Sequence, residues 1–400
     1  MKIAYISPML LPLDDDCGGA VEQLMLSFIK ENEITTENLY IDVYTLPLNQ
    51  HHKYKFSNFI EINKSKIETV IQKAFNFINK IFHFSYYPFN LIHYKVAVCV
   101  KKKKYDAIFI ENSMLLFKQV YDKFENKTNK PKFYYHLHNN LGDIDKNSSN
   151  YKYILKRAEN IFSVSDFIKN ELNKIEFSEK NVTIHNCINK SDFTITDEWH
   201  LNINKIRKKY EIESDIVIGF VGRTVEDKGI IELLEAFIKL SKEIQNIKLL
   251  IVGSAWFSNE SNEYNDFEKK LKKILEKYKD KIILTGFVPH NEVKYYYSIM
   301  DILVIPSKCD EAFGMVALEG LILNTPILTT GVGGLKEVLN EYATYVEVND
   351  LSNQLYYSLK NSLLNKYTKP IIPDSYFNQF SQEKYYKDIL ERLKSSNENY

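Results

Sequence analysis

Short apolar runs alternate along this chain with longer segments whose apolar residues recur every three or four positions, the signatures of buried strands and amphipathic helices. In the first half, residues 2–7, 41–46, 105–110, 132–137 and 160–164 read as strands. Helical period runs over 21–30 and most of 63–104, and Ser165-Asp166 suits the cap of a further helix. Residues 182–186 close this half, and 189–199, with little hydrophobic period, read as a linker. A helix over 203–210 then opens a second half, with strands predicted at 215–221, 248–252, 281–284 and 302–306 and helices at 229–244, 266–278 and 293–300. Strand and helix alternate throughout, which implies parallel sheets covered on both faces. An amphipathic helix over 379–394 ends the pattern.

The strand at 302–306 leads into Glu311-Ala-Phe-Gly-Met-Val-Ala-Leu-Glu319. The Phe313-Gly314 pair reads as a turn and 315–323 as a helix with few polar positions. A strand feeding a helix through glycine leaves the backbone N–H groups of Gly314, Met315 and Val316 aimed at one point, which suits a phosphate. Glu311 before the turn and Glu319 two helical turns later flank that point, the arrangement a nucleotide sugar would need. Glu319 sits among Leu318, Leu321, Ile322 and Leu323, company in which a carboxylate needs a partner.

Arg223 and Lys228 lie five residues apart in Gly222-Arg-Thr-Val-Glu-Asp-Lys-Gly229. By spacing alone they read as solvated charges. At the carboxyl end of a strand and between glycines they read as a diphosphate clamp, one rigid fork and one mobile point charge. Near the start of the chain, Gly18-Gly19 between a strand and a helix allows backbone amides to approach a ligand. His136 and His138 end the strand at 132–137, and strand alternation puts both on one face. Both could therefore point into a ligand crevice, and His136 reads as structural.

Composition narrows the field. The 400 residues carry 52 basic and 52 acidic side chains, so no global field favours nucleic acid. Four scattered cysteines without CxxC spacing argue against structural zinc or a disulfide framework and fit a reducing cytosol. No signal peptide is seen in Met1-Lys-Ile-Ala-Tyr-Ile-Ser-Pro8, and the apolar stretch 81–100 is too interrupted to span a membrane. The aromatics of 63–104 with Lys101 to Lys104 read as core plus a solvated face, with a peripheral membrane contact left open. Asp14-Asp15-Asp16 reads as a polar loop, and no metal site is expected.

The two glutamates at E-x7-E spacing, followed by Gly320-Leu-Ile-Leu-Asn-Thr-Pro-Ile-Leu-Thr-Thr-Gly-Val-Gly-Gly-Leu-Lys-Glu337, resemble the retaining GT-B glycosyltransferases of family four. The resemblance covers most of the chain and is strongest over about 215–340. It implies two Rossmann-like, doubly wound parallel-sheet domains facing across a cleft: 1–192 on the acceptor side and 193–375 for the donor, with a helix at about 376–400 packing back on the first. Position by position, it implies ribose binding by Glu319, sugar hydroxyls on Glu311, diphosphate on Arg223 and Lys228, and sugar contact by His138. It further implies oxygens held by the backbone of 314–316, the base near Phe287-Val288, and closure of the Gly18-Gly19 loop. Asn139-Asn140 departs from the family, where Asp usually follows the histidine. The implied activity is metal-independent hexosyl transfer from a UDP- or GDP-sugar to a glycan or lipid-linked acceptor, with retention of configuration, in capsule, exopolysaccharide or lipopolysaccharide assembly. The implied location is the cytoplasm, with attachment to the inner membrane face left open.

Other classes fit less well. In Gly331-Val-Gly-Gly-Leu-Lys336 a lysine stands where the dinucleotide fingerprint G-x-G-x-x-G needs its third glycine, and GxxxxGK[ST] is absent. A nucleotide-sugar epimerase would need an acid/base pair that cannot be placed. A catalytically silent partner subunit would be expected to have lost part of the clamp, yet Arg223, Lys228, Glu311 and Glu319 are all present.

Overall fold

A computed structural model describes residues 1–15, 19–50, 53–63, 65, 68, 90–142, 144–254, 266–364 and 369–395. The chain divides into two compact units, Met1–Cys187 with Gln382–Tyr400, and Ile188–Ser381.

Among the described residues, the first unit has seven strands: β1 (Lys2–Ile6), β2 (Tyr40–Thr45), β3 (Ser57–Glu61), β4 (Ala107–Glu111), β5 (Lys132–Leu137), β6 (Asn160–Ser163) and β7 (Asn181–Thr183). Their order is β3-β2-β1-β4-β5-β6-β7, with every pairing parallel. The central strands are buried on both faces, which is why they read as near-continuous apolar runs. The helix Ala20–Ile34 packs on the closing helix Gln382–Ser395 through Phe28, Tyr385, Tyr386 and Ile389. Each such side chain contributes roughly 1.5–3 kcal/mol when fully buried. The Tyr386 hydroxyl, a single donor, also lies 2.7 Å from both Asn32 Oδ1 and the Glu37 carbonyl.

The described strands of the second unit are β8 (Ile216–Val221), β9 (Ile247–Val252), β10 (Ile282–Leu284), β11 (Ile302–Ile305), β12 (Ile327–Thr329) and β13 (Thr344–Tyr345). They run β10-β9-β8-β11-β12-β13, again all parallel. Chain order reverses between β1 and β4 in the first sheet and between β8 and β11 in the second. The carboxyl edge at such a reversal is the place where open parallel sheets hold ligands.

Several sequence expectations are refined. β3 was not expected, because Ser57-Asn-Phe-Ile-Glu61 is an edge strand with only two apolar residues. The stretch 189–199 is not a free linker. Lys190–Phe193 form a 3-10 turn, and Thr196 caps the helix Asp197–Lys209 by accepting from the Trp199 N–H. Trp199 itself is buried, with its indole N–H donating to Ser298 at 3.0 Å. The helix expected over 293–300 spans His290–Tyr297, starting directly after Pro289. Of the long aromatic segment, Leu91–Lys101 is helical and residues 69–89 lie outside the described ones. Lys101 to Lys104 are exposed, and Lys103 bonds the buried Asp42 at 3.1 Å. No helix among the described residues is long and apolar enough to cross a membrane.

Gly229 joins the two central loops of the second unit. Its φ is +67°, and a Cβ there would meet the Pro306 carbonyl oxygen at 1.9 Å. Both the left-handed backbone and the backbone clash penalise any side chain, so Gly229→Ala should lose about 1–3 kcal/mol. The loss is read as a lower urea midpoint at unchanged m-value. An unchanged midpoint would contradict this packing.

Candidate active site

In the second unit the loops following β8 and β11 meet at the point of strand reversal. Lys228 Nζ donates to Glu311 Oε1, and the Ser307 hydroxyl donates to the same oxygen. The turn carrying Glu311 is held from behind: Glu311 forms a parallel bridge with Gly333, and the Gly334 N–H donates to the Glu311 carbonyl at 2.7 Å. Phe313 is buried edge-on against Phe380, with ring centroids 5.9 Å apart, so its side chain seats the turn.

Gly314 then takes φ +101° and caps the helix Met315–Ile322. A Cβ on Gly314 would meet Leu335 Cδ2 at 2.4 Å. The first N–H groups of this helix, from Met315 and Val316, have no intrahelical carbonyl to bind and carry the positive end of the helix dipole. Arg223 is exposed in the loop after β8, whereas Thr224 beside it is buried. The structure therefore gathers Lys228, Glu311, Gly314, Met315 and Val316 around one turn, with Arg223 in the adjoining loop.

Glu319 lies deeper, 7% exposed. Its required partner is Tyr297, which was not singled out within the run Tyr295-Tyr-Tyr297: the phenol donates to Glu319 Oε2 at 2.7 Å. Burial and the adjacent carboxylate push the Tyr297 phenol well above its ordinary pKa, so it remains a neutral donor. His290 Nε2 lies 3.4 Å from the other oxygen, Oε1, and is half-exposed. Val288 is half-buried and Phe287 exposed in the segment between β10 and the helix His290–Tyr297.

The first unit has its own cluster at the β1/β4 reversal. Glu111, the last residue of β4, is fully buried. It accepts from the Tyr5 hydroxyl at 2.7 Å and lies 2.7 Å from His138 Nε2 and 3.2 Å from His136 Nδ1. Burial alone would push this carboxyl up, but the two imidazoles more than offset it and hold the pKa at about 2. Burial and His136 push the His138 pKa down, so that imidazole is neutral at pH 7.

Glu22 is also buried, and burial pushes its carboxyl up. Its Oε2 occupies the place of a Gly19 Cβ, at 1.9 Å, so any side chain at position 19 would displace it. Gly18 lies outside the described residues. Asp14 is buried in a structural role, accepting from Asn49 and Gln50. The ligand atoms of Glu111, His136 and His138 all lie within 4.8 Å of one another, a spacing that could hold a metal. Hydrogen bonds to an ionised Glu111 account for the same spacing. Sequence reading missed Glu111, although an acid closing the apolar run Ala107-Ile-Phe-Ile is a usable signal at the carboxyl edge of a sheet.

The His290–Glu319 contact has a pH signature. Hydrogen bonding to Glu319 raises the His290 pKa, with burial acting against it. A raised folded-state value stabilises below the unfolded value of about 6.5, and the contribution is lost as pH rises through the folded value. Solvent screening limits it to about 1 kcal/mol. The excess thermal stability of wild type over His290→Gln should be present at about pH 5.5 and vanish by about pH 8.5. A difference that grows with pH would show that the pair is not formed.

Residues 202–373 match the family model described as glycosyl transferases group 1. The chain is 25% identical over 293 residues to a putative glycosyltransferase, YtcC, of Bacillus subtilis, an alignment covering 69% of this chain and 70% of that one. It is 29% identical over 197 residues to the capsular polysaccharide biosynthesis glycosyltransferase CapM of Staphylococcus aureus, covering 48% and 49%. Among solved structures, Anabaena HepE superposes with a TM-score of 0.71 over 99% of this chain and 100% of that one, at 17% identity. Residues 202–373 thus carry the sequence pattern of the group 1 glycosyltransferases, and the chain has the GT-B fold.

Proposed function

We propose that this glycosyltransferase moves a hexosyl residue from a nucleoside-diphosphate sugar to a glycan or lipid-linked acceptor, with retention of configuration, during assembly of a cell-surface polysaccharide. The observation that carries the reading is the juxtaposition of Lys228, Glu311 and Ser307 with the start of the helix Met315–Ile322 at the strand reversal of the second sheet. A departing diphosphate develops negative charge, and a cation beside a helix N-terminus is placed to stabilise it. Each charge-assisted hydrogen bond supplies roughly 1.5–3 kcal/mol, and the helix start another ~0.3–2 kcal/mol. HepE, whose fold this chain shares, was crystallised with UDP and glucose and with UDP-glucose, and CapM is named for capsular polysaccharide.

In this reading Arg223 and Lys228 bind the diphosphate, and the N–H groups of Gly314, Met315 and Val316 its oxygens. Glu319, steadied by Tyr297, holds the ribose hydroxyls, and the base lies along Phe287-Val288. Glu311 releases Lys228 to the phosphates and takes a sugar hydroxyl, so the Lys228–Glu311 ion pair is exchanged on binding. His138 contacts the sugar. The two side-chain cations and the helix terminus supply the charge that a metal would otherwise provide, so transfer is metal-independent. The enzyme works in the cytoplasm on an acceptor at the inner membrane face.

A melting panel with UDP, GDP, ADP, their sugar conjugates and NAD, with and without EDTA, tests this. A ligand at about a hundred times its Kd stabilises by about 2.7 kcal/mol, a shift of roughly 2–8 °C. One nucleoside diphosphate and its sugar should shift the midpoint whether or not EDTA is present. Glu319→Ala should abolish most of that shift, and Glu311→Gln should preserve more of it while lowering turnover at least about tenfold. Silence for every nucleotide, or a response to NAD alone, would overturn the reading.

A further inference from the structure

The buried cluster at the β1/β4 reversal contains more order than a passive core requires. Glu111 is fully buried, and its carboxylate, being ionised, can only accept hydrogen bonds. It faces three groups able to donate: the Tyr5 hydroxyl at 2.7 Å on Oε1, His138 Nε2 at 2.7 Å on Oε2, and His136 Nδ1 at 3.2 Å on Oε2. A buried carboxylate without such donors would cost several kcal/mol, so both imidazole nitrogens that face it must carry hydrogen. In a neutral imidazole, protonating one nitrogen strips the other. The nitrogen left over on His138, Nδ1, is buried and lacks a hydrogen-bond partner among the described residues.

The two histidines are not equivalent. His136 is fully buried within β5, its ring stacked on Phe109 at 5.9 Å and on Tyr385 at 6.1 Å. His138 follows the end of β5 and is 8% exposed, and the carboxylate of Glu22 lies close enough to act on it electrostatically. Its ring sits 3.9 Å from that of His136, and its backbone N–H donates to Asn112 Oδ1 at 3.0 Å. Position and ring plane are thus fixed from three sides, and the unpartnered Nδ1 is the polar atom this construction leaves over.

We propose that Glu111 is a positioning residue that fixes His138 as the Nε2–H tautomer, so that the bare Nδ1 is presented to the substrate as a hydrogen-bond acceptor for a sugar hydroxyl. Tyr5 and His136 complete the hydrogen-bond set of Glu111 and so hold its carboxylate in the plane that this lock needs. The inference rests on the glycosyl-transfer reading for the identity of the hydroxyl, but the tautomer does not depend on it. It also gives the otherwise unexplained cluster a chemical task that a divalent ion cannot share, because a metal on Nε2 would displace its proton.

Long-range 1H–15N spectra of the histidine-labelled, ligand-free wild-type protein at about pH 7 decide the tautomer without any variant. The expected spectrum shows His138 protonated on Nε2 and bare on Nδ1, with no divalent ion at stoichiometric level by elemental analysis. An Nδ1–H His138, an imidazolium, or one equivalent of zinc on the ring would overturn the proposal. Glu111→Gln then tests its use, since the carboxamide can accept from one imidazole only by turning its NH2 toward a neighbour. Nδ1–H should become populated at His138, and kcat should fall roughly tenfold or more, the scale of one lost hydrogen bond, with donor KM changed by less than about threefold. An unaltered tautomer, or unaltered kcat beside an altered tautomer, would refute the positioning role. Failure of the glycosyl-transfer reading would show instead as a correct tautomer in a wild-type protein that turns over no sugar nucleotide.

Discussion

A parallel sheet whose chain order reverses must leave a gap at its carboxyl edge, because the loops on either side of the reversal run to opposite faces. Both units of this chain are built on that constraint, with reversals at β1/β4 and β8/β11. Each gap collects the charged chemistry of its unit: Glu111, His138 and Glu22 in the first, Lys228, Glu311 and the start of the helix Met315–Ile322 in the second. The core beneath is mainly apolar, so a charge at the edge cannot sink inward without being paired. The chemistry of this molecule is therefore concentrated along two narrow edges.

The two edges handle charge differently. In the second unit Lys228 and Glu311 remain partly exposed and satisfy each other, an arrangement that an incoming anion can exchange without leaving a buried charge unpaired. In the first unit Glu111 is closed off and permanently satisfied by Tyr5 and two imidazoles. Glu319 stands between these extremes, with one oxygen fixed by the buried Tyr297 and the other shared with half-exposed His290. A site that must bind and release a charged ligand needs the exchangeable kind of pair, while a group that must keep one orientation needs the closed kind.

Much of this was legible in the sequence. The doubly wound architecture followed from strands that are apolar on both faces, and β5 begins and ends where its pattern predicts. The E-x7-E stretch announced both glutamates of the second unit because a carboxylate within an apolar helix is conspicuous. Glu111 escaped because an acid at the end of a strand looks like the ordinary polar boundary of any strand. Tyr297 escaped because three consecutive tyrosines give no reason to choose one, and only the helix register selects the one that meets Glu319. The edge strand β3 and the cap at Thr196 escaped because their pairing partners are remote in sequence or polar.

The central claim is that the edge at β8/β11 is a nucleoside-diphosphate site. Isothermal titration of UDP and of GDP into the wild type and into Lys228→Met, at fixed pH and salt, addresses it most directly. The account predicts that one of the two binds the wild type with one-to-one stoichiometry, and that the substitution weakens it at least about tenfold, the equivalent of one charge-assisted hydrogen bond. Equal affinity for both proteins, or no heat from either nucleotide with the wild type, would contradict it.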